Sequence, residues 1–257
     1  MLRLRISRWL LALVLALAAA QTMAQGTDAP AAAAGPPALT RFSATPGSQP
    51  AAPWRVVGLP RSKTPLTQFE VVELDGARVL RVQASLSYGQ LVHELPGAVP
   101  SAATTLRWRW RLETPLLRAD LHSRPGDDAP VKVCALFDMP LEGVGLVERG
   151  LLRATRSLSG EQLPSATLCY VWDHSLPVGT LLPNAFTSRI RLMVLNSGEQ
   201  QLGQWISHQR NLAADFRRAF GHEYSGTPPL VAISVVADAD NTRDQSLAYV
   251  GDVTLAP

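Results

Sequence analysis

The densest group of carboxylates in the chain lies near its C-terminal end, in the stretch VADADNTRDQSLAYVGDV. Asp238, Asp240 and Asn241 follow an apolar segment, and Asp252 lies in the next apolar segment. Calcium in proteins takes six to eight oxygen ligands from such side chains and from backbone carbonyls. These four residues are therefore candidate ligands of a structural calcium ion, although the loop lacks the glycine and the distal glutamate of an EF-hand.

The same acidic loop allows two other interpretations. Asp and Asn side chains hydrogen-bond their own backbone in Asx turns, and the stretch would then be an ordinary hairpin loop. Alternatively, Arg189 or Arg191 would neutralise the carboxylates in an ion-pair network, which contributes little to stability if it is exposed. The sequence leaves calcium, turn and arginine network open.

Further polar clusters lie at the ends of predicted strands. Asp127 and Asp128 precede one strand, Trp172 and Asp173 end another, and Arg189 begins the next. Because the start of one antiparallel strand lies near the end of its neighbour, these clusters and the acidic loop would meet at one end of the fold. This end is the predicted ligand site, and Trp172 is either an aromatic platform for a sugar ring or a core residue.

The stretch LRWRWRL separates two kinds of side chain by simple alternation. Trp108 and Trp110 share the face that is predicted to join the core, whereas Arg107, Arg109 and Arg111 point to the other side. The arginine face is either solvated or contacts an acidic ligand. Arg107 and Arg109 are therefore also candidate ligand-binding residues.

Paired carboxylates are the one basis for catalysis in this sequence. The five histidines lack the spacing of a zinc site, and the GxSxG turn of serine hydrolases is absent. Two of the strand-end aspartates would supply an acid and a base for glycoside cleavage if they lay roughly 5–10 Å apart across a groove. An enzyme that acts on polysaccharide is therefore an alternative function.

The elements that must position these residues are mostly strands. Eleven short segments rich in Val, Leu and aromatic residues follow residue 40, and an Asp-Gly pair at 75–76 predicts a hairpin. These segments are 54–57, 68–74, 78–84, 89–95, 104–112, 131–138, 167–173, 189–195, 203–207, 230–237 and 247–255. Asn211 and Gly221 bound a predicted helix, and 142–157 contains a second candidate. We predict an all-β fold, an antiparallel β-sandwich of the jelly-roll or galactose-binding-like type with one or two short helices; a closed barrel is the alternative.

The N-terminal region predicts export. Residues 1–24 have a basic start and an apolar run of twelve residues, as in a secretory signal peptide. An Ala- and Pro-rich stretch at 25–40 is predicted to be a flexible linker, and 41–257 a single β-sandwich domain. We expect a periplasmic or secreted protein with no membrane span after signal cleavage, since no later segment is long and apolar enough.

The charge balance argues against a nucleic-acid partner. The chain has 24 Lys and Arg against 21 Asp and Glu, but three of the arginines lie in the signal peptide. The mature protein would therefore be formally neutral, without the basic footprint of a nucleic-acid-binding protein. Cys134 and Cys169, the two cysteines, would either form a disulfide in an oxidising compartment or be two small buried hydrophobic residues.

A series of motifs resembles a known family. In order, the motifs are GDDAPVKVCALFD, LCYVWD, SRIRLMVLNSG, LGQW, RNLAADFRRAFG, ADADNT and AYVGDV. Together they resemble domain-of-unknown-function family 3047 of exported bacterial proteins over most of residues 40–257. The positions that match the family are Asp127, Asp128, Trp172, Asp173, Arg189, Trp205, Asp215, Asp238, Asp240, Asn241, Thr242 and Asp252. RDQS at 243–246 departs from the family pattern. The family has no established activity, so the resemblance implies no substrate and no catalytic residue.

A second resemblance concerns the C-terminal strand. AYVGDVTLAP is similar to the last strand of jelly-roll carbohydrate-binding modules, which often hold a structural calcium ion; Gly251 replaces the first acidic residue of that pattern. This implies a jelly roll and, by analogy of fold, a glycan ligand. The predicted function is an exported, non-catalytic protein of the bacterial envelope that binds a ligand, a glycan by preference. An envelope scaffold or interaction protein is the third alternative.

Overall fold

Alternating apolar residues build two β-sheets in the computed structural model, which describes residues 38–60, 62–98, 104–145, 149–150 and 164–256. The seven-stranded sheet has the order β1 (Arg55–Val57), β4 (Tyr88–Ala98), β11 (Leu230–Asp238), β6 (Ala129–Phe137), β7 (Ala166–Asp173), β9 (Ile190–Ser197) and β8 (Leu181–Pro183). The six-stranded sheet has the order β10 (Ile206–Asn211), β5 (Thr105–Thr114), β12 (Gln245–Val250), β3 (Ala77–Ser85) and β2 (Gln68–Leu74), and β13 (Thr254–Ala256) also pairs with β5. The predicted all-β sandwich is confirmed.

Each predicted strand segment overlaps an observed strand, with three differences in detail. β8 was not predicted, since three residues that include a proline carry no alternating pattern. Segment 247–255 forms two strands, β12 and β13, rather than one. In the connection between them, Gly251 N donates to Arg109 O of β5 at 2.9 Å. Finally, β7 and β9 pair in parallel, because the chain inserts β9 between β7 and β8.

The local signals for a turn and a helix end are also confirmed. Asp75 and Gly76 have φ angles of 54° and 72° between β2 and β3, the left-handed conformations that an Asp-Gly hairpin requires. Helix α1 spans Leu212–Phe220, and the Asn211 side chain caps it by accepting a hydrogen bond from Ala214 N at 2.8 Å. The second helix candidate, 142–157, lies mostly outside the described residues.

The main core lies between the two sheets and is rich in aromatic rings. Trp108 and Trp110 of β5 face Tyr170 and Trp172 of β7, with centroid distances of 5.2 Å for Trp108–Tyr170 and 6.3 Å for Trp110–Trp172. All four side chains are buried. The predicted core face of LRWRWRL is therefore the observed one.

The N-terminal part of the chain is described only in part. The predicted signal peptide, 1–24, and most of the predicted linker, 25–40, lie outside the described residues. Leu39 is buried in the core, and Thr40 N donates to His93 Nε2 at 3.1 Å. The described residues at the end of the predicted linker therefore contact the sandwich.

Candidate functional site

The outer face of the seven-stranded sheet is apolar. β6 and β7 are buried at every position, whereas β5 in the other sheet alternates between buried and partly or fully exposed residues. Strands that are apolar on both faces need a covering on each side. A second apolar cluster, separate from the main core, lies on this outer face and includes Val92, Cys134, Leu136, Cys169, Leu192, Ala232 and Val236.

A cavity of about 1070 Å³ opens over this apolar face, and we refer to it as the cleft. Its floor includes Val92, Leu136, Leu192 and Val236. Ligand pockets of small molecules commonly measure roughly 300–1,000 Å³ and have mostly apolar linings. The cleft therefore has the volume and the lining of a ligand pocket.

A disulfide forms part of the cleft floor. Cys134 of β6 and Cys169 of β7 are direct partners in the antiparallel ladder, with a Cα–Cα distance of 4.0 Å, and they are bonded to each other. Both cysteines are buried and line the cleft. The first of the two interpretations of these cysteines is therefore the observed one.

A buried ion pair lies at one end of the cleft. Lys132 Nζ is 2.7 Å from Asp238 Oδ2 and 2.9 Å from Asp238 Oδ1, and Ala129 N donates to the same carboxylate at 2.7 Å. Burial raises the pKa of Asp238 to about 6, against the opposing effect of the Lys132 ammonium. Burial alone would lower the pKa of Lys132, but the carboxylates of Asp238 and Asp127 outweigh it and the pKa lies above its usual value. Both groups are charged at neutral pH.

Two further carboxylates, Asp127 and Asp240, line the cleft beside this pair. Asn184 Nδ2 donates to Asp127 Oδ2, while Asp240 Oδ1 is buried without a hydrogen-bond partner in the described part of the chain. Burial raises the pKa of Asp127, against Lys132, and burial together with Asp128 raises the pKa of Asp240. Asp127, Lys132, Asp238 and Asp240 together form what we call the acidic end of the cleft.

Neutral hydrogen-bonding groups adjoin the acidic end. Gln90 Nε2 donates to Tyr88 Oη at 2.6 Å, and burial raises the pKa of the Tyr88 phenol. Asn241 Nδ2 donates to the Asp127 carbonyl at 3.1 Å. Amide, phenol and carboxylate groups are thus available beside an apolar floor.

Asp128 fastens the acidic loop to the start of β6 and has a structural role. Its Oδ2 accepts hydrogen bonds from Thr242 N and Thr242 Oγ1, both at 2.6 Å, and its Oδ1 accepts a weaker one from Asn241 N at 3.3 Å. The side chain is buried and does not line the cleft. The two acidic clusters that the sequence placed at different strand ends are therefore joined here.

Arg189 also lines the cleft, but it does not neutralise the acidic loop. Its Nη2 lies 2.5 Å from Glu223 Oε2, and Arg191 Nη2 lies 2.8 Å from Glu223 Oε1. The predicted ion pairs between these arginines and the acidic loop are therefore not observed, and both arginines pair with a glutamate that the sequence analysis did not single out. Lys132 takes the role toward Asp238 that had been assigned to arginine.

Trp172 and Asp173 do not belong to the cleft. Trp172 is 1% exposed in the main core, where its Nε1 donates to Gly198 O at 3.1 Å, so it is not a sugar platform. Asp173 accepts hydrogen bonds from Ser175 N at 2.7 Å and Leu176 N at 2.6 Å, which is the turn chemistry of an aspartate at a strand end. The core interpretation of Trp172 is therefore the observed one, and Asp173 lies outside the cleft lining.

Arg107, Arg109 and Asp252 lie on the outer face of the six-stranded sheet. They line a shallow depression of about 480 Å³, which shares no lining residue with the cleft. The Arg109 guanidinium lies 4.5 Å from the Trp205 ring centroid, and Asp252 accepts hydrogen bonds from Ser43 N at 2.9 Å and Ser43 Oγ at 2.5 Å. The two arginines are therefore not part of the convergent site.

The four candidate calcium ligands do not come together. Asp252 lies in the separate depression, and the Asp238 carboxylate is held by Lys132 and Ala129 N. Within the described ranges, no group of three or more His, Cys, Asp or Glu side chains is arranged to hold a metal ion. Calcium binding by the acidic loop therefore rests on the sequence alone.

Comparison with known proteins places the chain in a family. The sequence model described as "Protein of unknown function (DUF3047)" matches residues 52–254. The chain belongs to the DUF3047 family. No curated protein matches this DUF3047 chain. None of the helices in its described residues is long and apolar enough to cross a membrane.

Solved structures that resemble this DUF3047 protein do so at the level of the sandwich. One is a family 11 carbohydrate-binding module of a cellulosomal cellulase of Clostridium thermocellum, with 11% identity, a TM-score of 0.41, and coverage of 88% of this chain and 96% of that one. Another is a cleaved adhesin domain of Lys-gingipain from Porphyromonas gingivalis, with 9% identity, a TM-score of 0.38, and coverage of 86% and 100%. At these values the likeness gives no information about the ligand.

The sequence analysis of this DUF3047 protein missed several cleft residues, of which Lys132 is the most informative. It is the single charged residue in the otherwise apolar strand APVKVCALF. Lysine is almost never fully buried unless it is paired. This position therefore signalled a buried acidic partner, whereas Tyr88, Gln90, Asn184 and Phe186 carried no comparable signal.

Proposed function

We propose that this DUF3047 protein is an exported, non-catalytic binding protein whose ligand lies in the cleft on the outer face of the seven-stranded sheet. The observation that carries the proposal is the combination of an apolar floor with polar groups gathered at one end of a cavity of about 1070 Å³. Aliphatic side chains bind the body of a ligand because binding removes apolar surface from contact with water. A few well-placed polar groups then fix the orientation of the ligand.

The rim of the cleft adds exposed apolar surface. Phe186 is 54% exposed and Leu59 is 40% exposed, and both line the opening. Large apolar side chains at the mouth of an apolar cavity would cover the ligand once it is bound. The site thus offers apolar contact from below and from the sides.

Two adjacent valines in β1 provide a matched test. Val57 lines the cleft, whereas Val56 is 42% exposed and does not line it. N-phenyl-1-naphthylamine is a neutral dye whose fluorescence rises in apolar surroundings. We expect Val57→Glu to weaken its binding at least tenfold, because a carboxylate on the floor must be desolvated, and we expect Val56→Glu to leave it unchanged.

The control for folding uses the melting temperature of both variants. If Val57→Glu does not fold, Phe186→Ala replaces it, with Leu117→Ala as its control because Leu117 is 53% exposed and lies away from the cleft. Equal dye binding in wild type, cleft variant and control variant would remove the proposed function and leave an interaction scaffold as the alternative.

A glycan ligand is the second candidate, supported by the amide, phenol and carboxylate groups beside the acidic end. Such groups hydrogen-bond sugar hydroxyls, and the Tyr88 and Phe186 rings are the aromatic side chains of the described cleft lining. A glycan array probed with wild type and Asn184→Ala tests this candidate. Binding that survives Asn184→Ala and Val57→Glu would place the glycan outside the cleft.

The enzymatic alternative has its own readout. Two cleft carboxylates would have to act on a bound polysaccharide as acid and base. Incubation of the protein with each polysaccharide that it binds, followed by measurement of new reducing ends, tests this point. Reducing ends that disappear in Asp127→Asn would overturn the non-catalytic part of the proposal.

A further inference from the structure

The charges that line the cleft are unevenly paired. Most of them have an oppositely charged partner, and these pairs are Arg55–Glu94, Lys132–Asp238 and Arg189–Glu223. Within the described residues, Asp127 and Asp240 have no salt bridge, although both line the cleft. The acidic end therefore carries an excess of negative charge toward the cavity.

The Asp127 and Asp240 carboxylates, which carry this excess charge, are partly removed from water. The Asp127 side chain is buried, and its carboxylate receives one hydrogen bond from the neutral Asn184 amide. Asp240 is half-buried, with one carboxylate oxygen that lacks a hydrogen-bond partner in the described part of the chain. A partly desolvated carboxylate is stabilised by a cation that arrives from the cavity side.

We propose that the ligand of the cleft is an amphipathic amine, whose apolar body covers the aliphatic floor and whose ammonium group lies beside Asp127 and Asp240. The inference rests on the proposed function, because it names the ligand class of the same cleft. An anionic head group would meet two carboxylates at this end, and a neutral polar group would leave their charge uncompensated. The charge of the site thus complements an amine best.

Three probes with one alkyl chain separate the role of charge from the role of the apolar body. Decylammonium, 1-decanol and decanoate are each titrated as competitors of bound N-phenyl-1-naphthylamine at neutral pH. Hydrogen bonds to charged groups are stronger than neutral ones, so we expect decylammonium to bind roughly tenfold or more tighter than 1-decanol. Decanoate is expected to bind most weakly.

The variant Asp127→Asn/Asp240→Asn removes the charge and keeps the shape of both side chains. In this variant decylammonium and 1-decanol should bind with similar affinity, because the charge that favours the amine is gone. Glu73→Gln is the matched control, since Glu73 is an exposed carboxylate of β2 in the other sheet. It should retain the wild-type preference for the amine.

The outcomes separate the two proposals. Equal binding of amine and alcohol, both weakened by Val57→Glu, would overturn the amine inference and leave the cleft as the binding site. Tightest binding of decanoate, or a preference for the amine that survives the double substitution, would also overturn the inference. If no probe displaces the dye, or if displacement is the same in Val57→Glu, the proposed function fails as well.

Discussion

The outer faces of the two sheets use the same kinds of charged residue in opposite ways. On the six-stranded sheet, Arg81 and Glu70 form an ion pair whose side chains are 27% and 42% exposed. On the seven-stranded sheet, Lys132 and Asp238 form one whose side chains are 10% and 6% exposed. The first pair stays in contact with water, whereas the second is surrounded by the apolar floor of the cleft.

This difference supports the cleft as the proposed binding site. Surface ion pairs such as Arg81–Glu70 keep an outer sheet face soluble and contribute little energy. A desolvated pair is costly to bury, and a purely stabilising design would replace it with apolar residues. Its presence at the end of an apolar cavity is therefore better explained by a ligand that needs fixed charges than by stability.

Removal of one cation from each pair should give the largest contrast between the two faces. Lys132→Met leaves Asp238 buried without its partner and should lower the free energy of unfolding by about 3–5 kcal/mol. Arg81→Met, the control in the other sheet, should cost at most about 1 kcal/mol. Urea unfolding of both variants at pH 7 measures the difference, and equal losses would remove the distinction.

The pH dependence of the Lys132→Met loss sharpens the same contrast. Burial holds the pKa of Asp238 at about 6 in the folded protein, above its ordinary value of 3.8. Without the ammonium, burial acts unopposed by this cation, so the folded state binds a proton more tightly than the unfolded state does. The pKa of Asp238 in the folded variant should lie above the wild-type value of about 6, so the variant should regain stability as the pH falls from above 6 toward 3.8.

His208 on β10 of the six-stranded sheet should act in the opposite direction. Its ring lies 5.2 Å from the Trp108 ring and 4.9 Å from the Trp110 ring, and its Nε2 is 2.8 Å from Asn196 Oδ1. Burial, assisted by Arg210, lowers the pKa of His208 from 6.5 to about 4. Between these two values the unfolded state binds more protons, so the folded protein should lose stability as the pH falls from 6.5 to 4, by at most about 3 kcal/mol and by less because water screens the partly exposed ring.

The variant His208→Gln separates this effect from that of Asp238. Glutamine keeps a donor for Asn196 and does not titrate, so the acid-dependent loss should be absent from the variant. Urea unfolding of wild type and variant at pH 7.5, 5.5 and 4.5 gives the comparison. Parallel pH profiles would mean that His208 is not the group responsible.

Local sequence patterns predicted much of this fold because the features they specify depend only on neighbouring residues. The alternation in LRWRWRL shows its core face directly, and an Asp-Gly pair and an Asn cap specify their own turn and helix end. β7 reads ATLCYVWD, which is apolar on both faces, so no alternation distinguishes the core side from the cleft side. For this reason the sequence left Trp172 open between a core residue and an aromatic platform.

The cleft depends on register between distant strands, which no local pattern contains. Lys132 meets Asp238 because β6 pairs with β11, 106 residues later in the chain. Asp252 was grouped with Asp238 because both lie in one stretch of sequence, but β12 and the chain after it belong to the other sheet. Proximity in sequence therefore suggested a calcium site that the sandwich divides between its two outer faces.

Added calcium should change the stability of the protein least of all. Whether calcium binds also bears on the comparison of the two outer sheet faces. An ion that binds only the folded protein stabilises it by about 2.7 kcal/mol at a hundredfold excess over its dissociation constant. For a domain of this size that corresponds to a shift of several degrees in melting temperature, at roughly 2–4 °C per kcal/mol. Because Lys132 already neutralises Asp238 and Asp252 lies with Ser43, we expect the melting temperature to be the same in excess calcium and in EDTA.

Magnesium at the same concentration is the control for ionic strength. A calcium-specific rise that disappears in Asp240→Asn would make the acidic end a metal site, and the excess charge of the cleft would then be balanced by an ion rather than by the amine of a ligand.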